Sequence, residues 1–155
     1  MKVTIGSDHG AVELKDEVKK VLSELNVETK DVGTFGTTAV DYPDIAEKVC
    51  ADVVNGESER GIVLCGTGIG ISIAANKIKG IRCALCNDVY SAKKSLEHNN
   101  ANILAMGGRV LGFGHASEIV RAWIQTEFSN DERHYRRIKK LWLWRINSTL
   151  WKKIF

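Results

Sequence analysis

In the stretch GIVLCGTGIGISIAANK, residues 61–77, an apolar run ends on Cys65 and passes through Gly66, Gly68 and Gly70 into a helical pattern. Glycines leave the backbone N–H groups of residues 66–70 free to point inward at a helix start, an arrangement that binds anions and stabilises a developing oxyanion. Cys65 stands at the lip of that loop, where a helix N-terminus favours thiolate over thiol. A thiolate beside an oxyanion hole can attack a carbonyl or take a proton from the carbon next to one. The bland alternative is a cysteine buried at a strand end, and the glycine loop that follows weighs against it. As a dinucleotide fingerprint GTGIG matches poorly, because that motif belongs after the first strand with an acidic residue closing the second. Here it follows the third strand, the first strand leads into SDHG, and no Walker lysine pattern is present.

Other residues are chemically capable but ambiguous alone. His98 and Asn99, in SLEHNNANI, stand at a helix end, where a histidine serves as a cap or as a functional group. His9 follows the first strand and precedes a helix. Arg133 and Arg137, in DERHYRRIKK, are four apart, so they share a helix face and are spaced to grip one phosphate; a solvated basic face is the competing reading. Cys83 and Cys86 form a C-x-x-C, but in an extended stretch their side chains alternate faces and the sulfurs point apart. With no second pair at zinc spacing, no metal site is expected. Cys50, in IAEKVCADVV, reads as a core residue.

The elements that must position these groups alternate along the chain. Strand patterns at 2–8, 27–33, 60–66, 81–86 and 102–106 alternate with helix patterns at 11–25, 42–56, 69–78 and 89–97, and two further helices follow near 113–127 and 131–147. Pro43, the only proline, opens the second helix and Gly56 closes it. Strands separated by helices imply a parallel sheet with right-handed crossovers, a Rossmann-like three-layer α/β/α sandwich of five strands with a C-terminal helical extension. Ligands in such sheets bind beyond the carboxyl ends of the strands. Ser7-Asp8-His9, Cys65-Gly66-Thr67, Asn87-Asp88 and Gly107-Gly108-Arg109 converge there.

The length of 155 residues fits one domain with a single good core, and 44% hydrophobic with 26% charged residues sets disordered and fibrous classes aside. The formal net charge of +3 gives no argument for nucleic acid. The opening MKVTIGSDHG has no signal-like apolar run and no segment is long enough to span a bilayer, so a cytoplasmic protein with free thiols is expected.

GSDHG near the start, DYPD at 41–44, GIVLCGTGIGISIAANK, EHNNANILAMGGRV and RHYRRI occur in that order. Together they closely resemble the B-type ribose-5-phosphate isomerases, within the family that includes the galactose-6-phosphate isomerase subunits, over roughly residues 1–140. The resemblance implies interconversion of an aldose and a ketose phosphate, ribose 5-phosphate and ribulose 5-phosphate, without metal or organic cofactor. It implies that Cys65 is the base moving a proton between C1 and C2, that the N–H groups of Gly66, Gly68, Ile69 and Gly70 stabilise a cis-enediolate, and that Thr67 shuttles protons between the oxygens. It makes His98 the acid that opens the furanose, with Asp8, Tyr42 and Asn99 around the sugar and His9, Arg109, Arg133 and Arg137 on the phosphate. It further implies a homodimer or dimer of dimers whose sites combine two subunits, with His98, Asn99 and Arg109 reaching into the partner's site. A six-carbon sugar phosphate is the alternative substrate, and a non-catalytic sugar-phosphate sensor a second alternative that the presence of Cys65 opposes.

The tail departs from that pattern. Residues 141–155, LWLWRINSTLWKKIF, are basic and carry three of the four tryptophans. A helix extension packed on a partner subunit is favoured over a membrane-surface anchor.

Overall fold

Alternating apolar strands and amphipathic helices leave one economical arrangement, a sheet covered on both faces. The computed structural model describes residues 1–146 of the 155. Five strands, β1 (Lys2–Ser7), β2 (Glu28–Asp31), β3 (Arg60–Cys65), β4 (Cys83–Leu85) and β5 (Ile103–Gly107), form one sheet in the order β2-β1-β3-β5-β4. Every neighbouring pair is parallel. Helices α1 (Val12–Glu24), α4 (Val89–Asn99) and α5 (Phe113–Gln125) bury their apolar stripes on one face. Helices α2 (Tyr42–Val54) and α3 (Ile69–Ala75) cover the other, and α6 (Glu132–Ile146) packs against α4.

The strand period of two divides the core. Along β3, Ile62 and Leu64 enter the α1/α4/α5 core, whereas Val63 and Cys65 enter the α2/α3 core. The same alternation sends Cys83 to the second core and Cys86 to the first, so the C-x-x-C is split across the sheet and both thiols are free. Burial pushes the Cys50 thiol up to about 12 and, despite a hydrogen bond with Ser95, the Cys86 thiol up to about 11; Cys83 is raised as well. These three remain protonated packing residues.

Several boundaries differ from those the apolar patterns alone imply. Helix α3 ends at Ala75 rather than 78 because the Asn76 side chain bonds across to β4, accepting from Cys83 N–H (2.9 Å) and donating to the Cys83 carbonyl (2.8 Å). Strand β2 stops at Asp31 because Gly33 turns back: its N–H donates to Asp31 Oδ1 (3.0 Å) and its carbonyl accepts from Ser7 N–H (2.7 Å). Helix α4 runs on to Asn99 and closes at Asn100, which adopts the left-handed conformation (φ 47°) that asparagine tolerates.

Two buried cations brace this frame. Lys15, 1% exposed, pairs with Asp31 (2.9 Å) and donates to the Thr34 carbonyl (2.7 Å), anchoring the loop after β2. Arg60 donates to the carbonyls of Trp123 (2.8 Å), Ile124 (3.2 Å) and Thr126 (3.0 Å), satisfying the C-terminal end of α5, whose last turn has no basic residue of its own. The start of the aromatic tail continues α6 without a break, and the Trp142 ring lies over the Arg82 guanidinium at 5.5 Å. That contact ties the start of the extension to its own chain. Residues 147–155 lie outside the described residues.

Candidate active site

The order β2-β1-β3-β5-β4 reverses direction between β1 and β3, since β1 leads out toward β2 on one face and β3 toward β4 on the other. At such a switch point the loops diverge and leave a crevice beyond the carboxyl ends. The loop after β1 supplies Asp8, His9 and Gly10, and the loop after β3 supplies residues 66–70. Asp8 N–H donates to the Leu64 carbonyl (3.0 Å), joining the two loops at their roots. Asp8 is buried, and one carboxylate oxygen accepts from Gly10 N–H (2.8 Å). A Cβ on Gly10 would lie 3.2 Å from Gly66 N, so glycine is what permits the loops to approach.

Cys65 ends β3 with its side chain 96% buried, and its sulfur accepts a hydrogen bond from Gly68 N–H at 3.1 Å. Gly68 has φ +76°, and a Cβ there would meet Leu85 Cδ1 at 2.6 Å and the Met106 carbonyl carbon at 2.8 Å. Only glycine fits both the conformation and the space, so the turn that aims this N–H at the sulfur is dictated by that residue. The first turn of α3 has N–H groups without i−4 acceptors. Ile69 N–H is taken by Thr67 Oγ1 (3.3 Å), which leaves the Thr67 hydroxyl hydrogen to donate elsewhere. Tyr42 closes one side: a Cβ on Gly70 would lie 2.7 Å from its Cζ. His9 Nδ1 accepts from Val40 N–H (3.4 Å), which leaves the hydrogen on Nε2 as a donor.

The loop after β5 completes this half. Gly108 N–H donates to the Cys65 carbonyl (2.9 Å) and Arg109 N–H to the Gly66 carbonyl (2.9 Å), so the Gly107-Gly108 turn lies along the cysteine loop. A Cβ on Gly66 would be 3.6 Å from Arg109 Cδ and 3.8 Å from its Nε. Arg109 therefore stands over the glycine loop of its own chain. The signal lay in the Gly-Gly pair before it, whose missing side chains admit the close turn.

His98, Asn99, Arg133 and Arg137 are elsewhere. Helix α4 leaves the carboxyl edge at Asp88 and returns to the opposite edge to enter β5, so its last turn stands a helix length, roughly 16 Å, from that edge. There the His98 ring packs on the His134 ring of α6, with centroids 4.4 Å apart. Arg82 Nε donates to the carbonyls of Asn99 (3.1 Å) and Asn100 (2.7 Å), fixing the helix end. Arg133 and Arg137 are exposed on the first turns of α6, and Arg133 pairs with Asp131 (3.2 Å). One chain thus carries two half-sites: a thiol on a glycine cradle with Asp8, His9, Thr67, Tyr42 and Arg109, and a histidine with Asn99 and two arginines. His134 was passed over in the sequence, where only the arginine spacing in RHYRRI was read.

Chemically, the first half combines a thiol, several N–H donors and cationic groups. That set suits proton movement next to the carbonyl of a small anionic substrate. Among the described residues no helix is long and apolar enough to cross a membrane.

Comparison with known proteins agrees. The sequence profile of the ribose/galactose isomerase family matches residues 3–141. The chain is 44% identical over 140 residues to ribose-5-phosphate isomerase B of Escherichia coli, covering 90% of this chain and 93% of that one. It is 40% identical over 130 residues to the D-erythrulose-4-phosphate isomerase of Pectobacterium atrosepticum, covering 83% and 85%. The solved structure of Clostridium thermocellum ribose-5-phosphate isomerase B superimposes with a TM-score of 0.91 at 50% identity, covering 94% of this chain and 97% of that one.

Proposed function

The chain belongs to the ribose/galactose isomerase family and is a sugar-phosphate isomerase, and from that premise we propose that it interconverts D-ribose 5-phosphate and D-ribulose 5-phosphate, a reaction of the pentose phosphate pathway. The observation that carries the reading is the Cys65 sulfur held by Gly68 N–H at 3.1 Å, at the crevice between β1 and β3.

His98 donates a proton to the ring oxygen as the furanose opens, while Asp8 takes the proton of the C1 hydroxyl, exposing the C1 aldehyde; that proton passes through solvent back to His98, which resets the acid. Cys65, as thiolate, takes the proton from C2, and the electron pair left behind delocalises onto O1 to give a cis-enediolate. With Gly68 N–H holding the sulfur and Ile69 N–H held by Thr67 Oγ1, the other N–H groups of the 66–70 loop, those of Gly66 and Gly70 among them, meet the negative oxygens, an environment worth several kcal/mol when the donors are fixed beforehand, about 3–4 for a single one. Cys65 then returns the proton to C1 while Thr67 carries a proton between O2 and O1, giving the C2 ketone. No proton or electron is gained or lost overall. His9 and Arg109 from one half, with Arg133 and Arg137 from the other, hold the phosphate; arginine suits it because its planar fork matches phosphate oxygens. Asp8, Tyr42 and Asn99 contact the sugar.

This division of labour requires a second copy of the chain, because the two half-sites of one chain lie at opposite edges of the sheet. A homodimer, or a dimer of such dimers, that sets His98 and Asn99 of one copy against the Cys65 loop of the other makes two complete sites. Ile69 and Ile73, more than half exposed beside Thr67 on α3, supply apolar surface for that contact.

Substrate length is the open specificity, since the relative from Pectobacterium is named for a four-carbon substrate and the family includes enzymes of galactose phosphates. The test is kcat/KM on ribose 5-phosphate, D-erythrulose 4-phosphate, allose 6-phosphate and galactose 6-phosphate. The proposal expects the highest value on ribose 5-phosphate; a four- or six-carbon preference overturns it.

A further inference from the structure

We infer that His134 is a positioning residue for His98: its buried ring on α6 is the surface on which the His98 imidazole is held in orientation for ring opening. The inference rests on the reading of His98 as the ring-opening acid.

His134 is 2% exposed, and its ring lies 4.4 Å from that of His98 with the planes tilted by 41°. The ring is itself fixed. Ser129 Oγ lies 2.8 Å from His134 Nδ1, and the same oxygen accepts from Asp131 N–H (3.3 Å). The bond to Ser129 Oγ holds the His134 ring in place whichever of the two atoms donates, since the hydroxyl can accept from Asp131 N–H and still either donate to or accept from Nδ1. Ser129 N–H in turn donates to the Glu97 carbonyl (3.2 Å), the residue before His98. Serine, the buried ring and the last turn of α4 thus form one closed circuit around the acid. The Phe128 ring flanks His134 at 6.5 Å and meets Tyr135 edge-on at 4.9 Å, stiffening the turn into α6.

The charge environment keeps the partner ring neutral. Burial, together with the adjacent His98, Arg133 and Arg137, holds the His134 imidazole below the ordinary histidine range, and only Asp131 opposes them. A neutral ring neither repels a protonated His98 nor competes with it for the proton. A side chain placed there only to fill space between α4 and α6 would need neither the Ser129 bond nor a flat ring.

The two roles separate by kinetics. An acid held out of line lowers kcat on ribose 5-phosphate and leaves KM nearly unchanged, whereas a loosened α6 displaces Arg133 and Arg137 and raises KM. The experiment measures both constants for wild type, His98→Ala, His134→Leu, His134→Phe, Ser129→Ala and the double variant His98→Ala/His134→Leu, with folding checked by thermal melts. His134→Leu is expected to lose about tenfold or more in kcat, less than the roughly 10²–10⁴-fold carried by the acid itself. His134→Phe, which restores a flat ring, recovers much of that loss, and Ser129→Ala falls between. The double variant is expected to match His98→Ala alone, because a positioning residue has nothing left to position. If His98→Ala retains wild-type kcat, the reading of His98 fails. If His98→Ala is impaired while His134→Leu keeps kcat, or loses only KM, or adds its full loss to the double variant, the inference about His134 is overturned. Should His134→Leu not fold, His134→Phe and Ser129→Ala carry the same comparison, and wild-type kcat in Ser129→Ala together with a KM rise in His134→Phe overturns it.

Discussion

Gly68→Ala probes the loop at its tightest point. An alanine at φ +76° costs about 1–2 kcal/mol relative to glycine. Its Cβ would also stand 2.6 Å from Leu85 Cδ1 and 2.8 Å from the Met106 carbonyl carbon, the second being backbone that cannot swing aside. Overpacking of that kind adds about 1–3 kcal/mol. The sum, roughly 2–5 kcal/mol at about 2–4 °C per kcal/mol, predicts a Tm lowered by roughly 4–20 °C. Relief of the clash moves the Gly68 N–H away from the Cys65 sulfur and displaces the loop N–H groups beside it that meet the oxyanion, so kcat should fall by about 10²–10³-fold, the usual effect of losing one fixed oxyanion donor. The matched control for stability is Gly66→Ala, whose Cβ meets Arg109 at an ordinary 3.6 Å, and its Tm should shift by no more than about 2 °C. Thermal melts at fixed protein concentration and steady-state rates on ribose 5-phosphate read both effects. A Gly68→Ala enzyme with wild-type Tm and kcat would refute the argument that this turn is dictated by its glycine.

Two further outcomes are expected. Burial acts to raise the Asp31 carboxyl, but hydrogen bonds from Lys19, Lys15 and Gly33 N–H outweigh it and hold the group below its ordinary 3.8. Its contribution is therefore present above that value and lost as pH falls through the lowered one. Asp31→Asn should cost on the order of 3 kcal/mol at pH 7 by leaving buried Lys15 without its carboxylate, and the Tm gap from wild type should close below about pH 4. Mixing Cys65→Ala with His98→Ala subunits, each inactive alone, should restore activity, since a mixed dimer holds one site with both groups intact; a mixture as inactive as its components would contradict shared sites.

Local chemistry was legible in the sequence where it depended on neighbours in the chain. The Cys65 loop is such a case, because the strand, the three glycines and the helix start are contiguous and their backbone consequences follow directly. The helix and strand sequence was equally clear from periodicity. Strand order was not, since whether β5 inserts between β3 and β4 is decided by pairing across long connections. The place of Arg109 over the glycine loop was hidden for a similar reason: it depends on Gly108 N–H finding the Cys65 carbonyl, over forty residues earlier in the chain. His134 escaped notice because a spacing of four identifies residues that share a helix face, as Arg133 and Arg137 do, and says nothing about what the adjacent face meets. The shortened α3 came from a side-chain bond, Asn76 to Cys83, that no helical pattern encodes.

Isomerisation here turns on Cys65 moving the proton. The measurement that tests it most directly is isomerisation of ribose 5-phosphate by wild type and Cys65→Ala without added metal, with solvent deuterium incorporation into the sugar followed in parallel. Wild type is expected to turn over and take up deuterium, and the folded variant to lose about 10²–10⁴-fold or more in both. A Cys65→Ala enzyme that isomerises and exchanges at the wild-type rate would contradict it.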